Sequence, residues 1–177
     1  LIAGEARVMP HLHLSLQSGD DLILKRMKRR HSRAHVTALV TRLKQARPDL
    51  AVGADLIAGF PTESEEAHQR NLSIITELGV VHGHIFPYSP RPGTPAARMP
   101  QLPMEVIRRR AGELRAAVAE QRAGWLRSML GKSVEILAER DGTGHAPNFA
   151  RVQSPPGAEP GSLVTVTPQR IVEGMLA

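Results

Sequence analysis

The chain has 177 residues, 41% of them hydrophobic and 23% charged, so it can bury a core and is not globally disordered. It has no cysteine, which excludes disulfides, thiolate-held zinc or iron–sulfur centres, and a cysteine nucleophile among these residues. The formal net charge of +6 is uneven: Leu22–Pro48 holds nine basic residues and no acid, whereas Asp49–Ala97 holds six acids against Arg70 and Arg91. Basic clusters at Lys25–Arg33 and Arg108–Arg110 suit phosphates or another anionic ligand, or form a solvated helix face.

No apolar run approaches the roughly 18 residues of a membrane span, and Leu1–Glu5 is no signal peptide. A cytoplasmic protein without membrane contact is expected. There is no initiator Met, and a strand-like run begins almost at once, so the chain is expected to start inside a domain. Met9–Ser18 alternates, with Leu12, Leu14 and Leu16 on one face and His11, His13, Ser15 and Gln17 on the other. That period of two predicts a strand ending at Ser18-Gly19. Asp20 then caps a helix carrying Leu22, Ile23, Leu24 and Met27, and Ser32 caps a second with Val36, Leu39, Val40 and Leu43, stopped by Pro48.

Ala51–Phe60 reads as a buried strand closed by Gly59 and Pro61. Thr62-Glu63-Ser64-Glu65 has the form of a capping box for a helix that runs to Gly79, and Val80–Tyr88 is a third strand. Alternating strands and helices predict parallel pairing. The five prolines of Ser89–Pro103 make an ordered loop, and Met104–Leu130 makes a long amphipathic helix. Beyond the Gly131-Lys132 hinge, short apolar runs such as Val134–Leu137 and Leu163–Val166 between Gly/Pro turns predict a small all-β module.

Ligands of parallel α/β sheets bind at the carboxyl ends of the strands, here Gln17-Ser18-Gly19, Gly59-Phe60-Pro61 and Tyr88-Ser89-Pro90. Gln17 and Ser18 suit hydroxyl groups, Phe86 and Tyr88 suit stacking on a base, and Arg29 suits a carboxylate. His11 with His13, and His82 with His84, allow a cross-strand cluster, but no carboxylate at ligand spacing accompanies them. They read as inward-facing histidines, and no metal site is expected. Asp55 interrupts an apolar strand, so it pairs with Arg or His or bonds a ligand.

The segments HLHLSLQSGDDLILKRMKRRHSR, GADLIAGFPTESEE and FPYSPRPGTPAARMP together resemble the second half of the radical S-adenosylmethionine methylthiotransferases. Within that family they are most similar to the branch that converts threonylcarbamoyladenosine of tRNA, next to the anticodon, to its 2-methylthio form. The tail, with GKSVEILAERDGTGHAPNFARV and PGSLVTVTP, resembles the family's C-terminal TRAM domain. The resemblance implies an α/β fold: the second half of a partial (β/α) barrel over residues 1–131, then a TRAM-like β domain over 132–177.

It also implies a monomer that works on tRNA with S-adenosylmethionine and two 4Fe–4S clusters. The cluster ligands are cysteines that this chain lacks, so the segment alone is expected to be inactive. The alternative is a non-catalytic RNA-binding protein on a degenerate barrel scaffold. Carried over from the family, Gln17 and Ser18 line the cofactor site and Arg29 holds the methionine carboxylate. Gly59, Phe60, Pro61, Phe86, Tyr88 and Ser89 flank the adenine. Arg91, in the Ser-x-Arg-x-Gly-Thr motif, serves the loop fold or the substrate; apart from the resemblance, Asp55 is the residue expected to bond a substrate, and Lys25, Lys28 and Arg30 are expected to take tRNA phosphates. The tail is mildly acidic, with five acids to three bases from Ser133 onward, unlike a basic RNA-binding module.

Overall fold

A computed structural model describes all residues 1–177. Strand β1 (His11–Gln17) is followed by helices α1 (Asp21–Arg26) and α2 (Arg33–Ala46), strand β2 (Ala51–Ala58), helix α3 (Glu65–Leu78) and strand β3 (Val80–Pro87). The three strands pair in parallel in chain order, as their alternation with helices predicts. A 3-10 turn at Ala96–Arg98 interrupts the proline-rich loop before helix α4 (Met104–Arg127). No helix is long and apolar enough to cross a membrane.

The caps explain the helix starts. Asp20 accepts from the Ile23 N–H and Ser32 from the His35 N–H, as the sequence predicts. The capping box at Thr62 does not form. Thr62 has a left-handed φ of 68°, the helix begins at Glu65, and Ser64 is the cap, accepting from the Ala67 N–H. Glu63 is thereby turned inward, where a buried arginine holds it. Leu22 and Leu39, placed on apolar helix stripes by periodicity, are exposed.

One face of the sheet is covered. Leu16, Val52, Ala54, Leu56, Ala58 and Ile85 pack against Val36 and Val40 of α2, Ile74, Ile75 and Leu78 of α3, and Ala111, Leu114 and Val118 of α4. On the other face, His82 meets Arg122 and Trp125 of α4 and His11 stacks on Phe149, while His13, Asp55 and His84 beyond them carry no helix.

Strands β4 (Val134–Ala138), β5 (Thr143–His145), β6 (Arg151–Gln153), β7 (Leu163–Val166), β8 (Ile171–Val172) and β9 (Met175–Leu176) form a second sheet in the order β7-β4-β5-β6-β9-β8. All its pairs are antiparallel except β6 with β9. Its own core is Ile136, Ala146, Ala150, Val152 and Leu176, closed by Leu126 from the end of α4 with Trp125 and Met129 beside it. The last turns of α4 thus anchor the β module to the helix.

Candidate functional site

The chain leaves β1 through a β-bulge. Its register with β2 shifts between Leu14 and Gln17, and Gln17 adopts φ 69°. A bulge re-aims the side chain that follows it. Lys28, at φ 57°, is a second left-handed residue at this end of the sheet, a conformation uncommon outside glycine. Two adjoining cavities of about 460 and 310 Å³ open here and share Gln17, Ile57, Thr94 and Ala96. The larger is walled by Phe86, Pro87, Tyr88, Ser89 and Arg91, the smaller by Arg26, Met27, Lys28, Arg29, Phe60 and Pro95.

Four cations line this cleft and no acid does. An anionic group is therefore favoured inside it. Arg29 donates one Nη2 bond to the Ser15 carbonyl at 2.8 Å, which fixes the guanidinium at the strand end. The Phe60 ring meets Tyr88 edge to face, centroids 5.4 Å apart, and the buried Tyr88 hydroxyl has no hydrogen-bond partner. A stacking surface and a cationic wall together describe a site for a ligand that carries both an aromatic ring and an anionic group.

Of the residues singled out in the sequence, Gln17, Lys28, Arg29, Phe60, Phe86, Tyr88, Ser89 and Arg91 come together in the cleft. Three others lie beneath it. Ser18 is fully buried and donates to Asn71 Oδ1 at 2.9 Å, while Gly59 and Pro61 are buried in the turn after β2. Lys25 and Arg30 are exposed outside it. Two cations of the basic clusters are committed elsewhere. Arg110 is buried against Glu63, and Arg33 pairs with Glu77 and donates to the Gly19 and Arg70 carbonyls. Neither is available to phosphates. Arg26, Met27, Ile57, Thr94 and Ala96 also wall the cleft; they come from a helix end, a strand and a loop that meet only through tertiary contact, so sequence gives no signal for them.

A polar network supports the cleft from below. Asn71 Oδ1 accepts from Ser18 Oγ and the Gly19 N–H, and Asn71 Nδ2 donates to Glu63. Glu63 binds Arg110, and the fully buried His68 bonds Glu113 at 2.5 Å. Burial pushes the Glu63 carboxyl above the usual range, against the pull of Arg110. The network ties the exits of β1 and β2 to α3 and α4.

On the helix-free part of the second sheet face, Asp55 Oδ1 accepts from His13 Nε2 at 2.9 Å and His84 Nδ1 at 3.1 Å. Sequence spacing shows no carboxylate beside the histidines; parallel pairing supplies one, because Asp55 and His84 are register partners. Burial would raise the Asp55 carboxyl, but these two N–H donors hold it below its ordinary value. Nearby, burial and the neighbouring Arg122 and His11 lower His82 to about 4, and its Nδ1 accepts from Arg122 at 2.9 Å.

No protein-family profile matches the chain. It is 47% identical over 153 residues to the threonylcarbamoyladenosine tRNA methylthiotransferase MtaB of Rickettsia prowazekii, covering 86% of this chain and 36% of that protein. It is 44% identical over 138 residues to the tRNA-2-methylthio-N(6)-dimethylallyladenosine synthase of Cereibacter sphaeroides, covering 78% and 32%. The corresponding synthase of Orientia tsutsugamushi is 41% identical over 142 residues, 80% of this chain and 32% of that protein. The chain is a homologue of radical S-adenosylmethionine methylthiotransferases. It spans about a third of the length of the curated relatives it matches. The cleft and its supporting network all lie within the first 113 residues.

Proposed function

We propose that the chain is the C-terminal portion of a tRNA methylthiotransferase that adds a 2-methylthio group to threonylcarbamoyladenosine, and that its strand-end cleft takes S-adenosylmethionine. The observation that carries this reading is a strand-end cleft that sets Arg29, a partner for one carboxylate, near the rings of Phe86 and Tyr88, in a chain 47% identical to a threonylcarbamoyladenosine tRNA methylthiotransferase. In this reading residues 1–131 are the second half of a partial (β/α) barrel and residues 132–177 a TRAM-like module.

The residues present fit S-adenosylmethionine. Arg29, tethered to the Ser15 carbonyl, is the partner for the methionine carboxylate. Phe86 and Tyr88 offer ring faces to adenine. Gln17 reaches both cavities and serves the ribose hydroxyls. Lys28, Arg30 and Lys25 face the tRNA phosphates and Arg91 the substrate side of the cleft. When bound, S-adenosylmethionine would supply the radical and the methyl group. The residues do not fit an iron–sulfur cluster, since none is a cysteine, so the thiolate ligands lie outside these 177 residues and this segment alone is inactive.

The test is equilibrium dialysis of the 177-residue chain against S-adenosylmethionine, with intact mass and N-terminal sequence of the native protein beside it. Saturable binding weakened about tenfold or more by Arg29→Ala, and a longer native chain carrying a Cys-x-x-x-Cys-x-x-Cys loop, are expected. Absence of binding removes the cleft assignment. A native product starting near Leu1 leaves the RNA-binding reading, which the lack of cysteine favours.

A further inference from the structure

The helix-free part of the second face of the three-stranded sheet holds a group of side chains that the cofactor reading does not use. Backbone register sets it up: β1 places His13 beside Gly53, and β2 places Asp55 beside His84. Gly53 is required for this, because a Cβ there would overlap the His13 imidazole at Nδ1. With that space open, His13 leans along the sheet until its Nε2 lies 2.9 Å from Asp55 Oδ1, while His84 Nδ1 lies 3.1 Å from the same oxygen. All three donor atoms are within 4.8 Å of one another.

Those separations suit coordination. Bonds of about 2.0–2.2 Å at tetrahedral or octahedral angles put neighbouring donors about 2.9–3.5 Å apart. Two of the three separations already have that size, and the His84 side chain, 65% exposed and bonded only to Asp55, is free to close the third. Two imidazoles and one carboxylate form a donor set that prefers zinc, iron(II), cobalt(II) or nickel(II) to the harder magnesium and calcium.

We propose that His13, Asp55 and His84 bind one divalent transition-metal ion with nitrogen and oxygen ligands only. The remaining coordination positions open on the face shared with the cleft, since the next register pair beyond Asp55 and His84 on that face, Ile57 with Phe86, lines it. A metal here is placed to receive an oxygen or nitrogen donor of a molecule extending down from the cleft. This site is independent of the S-adenosylmethionine assignment and stands or falls apart from it.

The experiment is titration of the chelator-stripped 177-residue chain with Co²⁺, read by its visible absorption, and with Zn²⁺, read by calorimetry. One saturable equivalent per chain is expected, weakened about tenfold or more by Asp55→Asn and by His84→Gln. His35→Gln, which removes an exposed histidine of α2, should leave the binding unchanged. Circular dichroism of each variant checks the fold, and the exposed His84 is the substitution least able to disturb it. No saturable equivalent in the wild type, or binding unchanged in both triad variants, overturns the proposal.

Discussion

Arg110 of α4 and Glu63 of the turn after β2 form an ion pair in the interior: Nη1 lies 2.8 Å from Oε1, and both side chains are almost completely buried. The same Nη1 donates to the Glu63 carbonyl, so the arginine holds both the side chain and the backbone of the turn. Removing one partner of a buried pair leaves a charge in low dielectric, which costs about 3–5 kcal/mol. Arg110→Met is therefore expected to lower stability by about that amount in urea unfolding. Adding Glu63→Gln should recover part of the loss. Equal stability of Arg110→Met and wild type would show that the pair carries no net weight.

Gly59 has φ +72°, and a Cβ built there would sit 2.7 Å from Ile107 Cγ1. Both the left-handed backbone and the contact with α4 oppose a side chain. Gly59→Ala is expected to destabilise by about 1–3 kcal/mol, measured by thermal unfolding. It should also weaken ligand binding in the cleft, because Phe60 follows directly. An unchanged melting temperature would mean that α4 yields at Ile107.

Phe149, in the turn between β5 and β6, stacks on His11 at the start of β1, with ring centroids 4.6 Å apart and planes at 28°. It does so from φ +67°, unusual for a bulky residue. Phe149→Ala loses the stack and keeps the strain, a cost of about 0.5–1.5 kcal/mol from the ring contact. Phe149→Gly loses the same stack but relieves the backbone, so it should be the more stable of the two. The order of the two unfolding midpoints checks this.

Asp20 carries an acid-dependent share of the stability. Burial alone would raise its carboxyl, but the Ile23 N–H and the Arg70 guanidinium, 2.5 Å away, hold it below the ordinary value. The unfolded chain therefore takes up this proton first. The contribution is complete above roughly pH 5 and is lost as pH falls through and below about 4. Asp20→Ala should cost about 1–2 kcal/mol at neutral pH and flatten the acid limb of the unfolding curve. An acid limb as steep as that of wild type would rule Asp20 out as a source of it.

The alternation of Leu12, Leu14 and Leu16, the caps at Asp20 and Ser32 and the apolar run from Ala51 state the strand–helix order in local terms, and the structure follows it. Local pattern failed at Thr62, where the capping-box spacing is present but the buried Arg110, 47 residues away, draws Glu63 inward and moves the helix start to Glu65. The strand-end residues Gln17, Tyr88 and Arg91 were readable because parallel sheets put ligands where strands end. Ser18 belongs to the same strand-end motif, yet it points at Asn71 because a buried hydroxyl must find a partner.

The elements, their parallel order, the lack of thiolate ligands among these residues and the motifs of the family resemblance can be read along the chain, because each is a property of near neighbours. That Asp55 stands between His13 and His84, that Arg110 is a buried strut rather than a phosphate ligand, and that Thr94 and Ala96 wall the cleft emerges only on folding. Each of those contacts joins residues far apart along the chain, and its geometry is fixed by strand register and helix packing, which no local periodicity encodes.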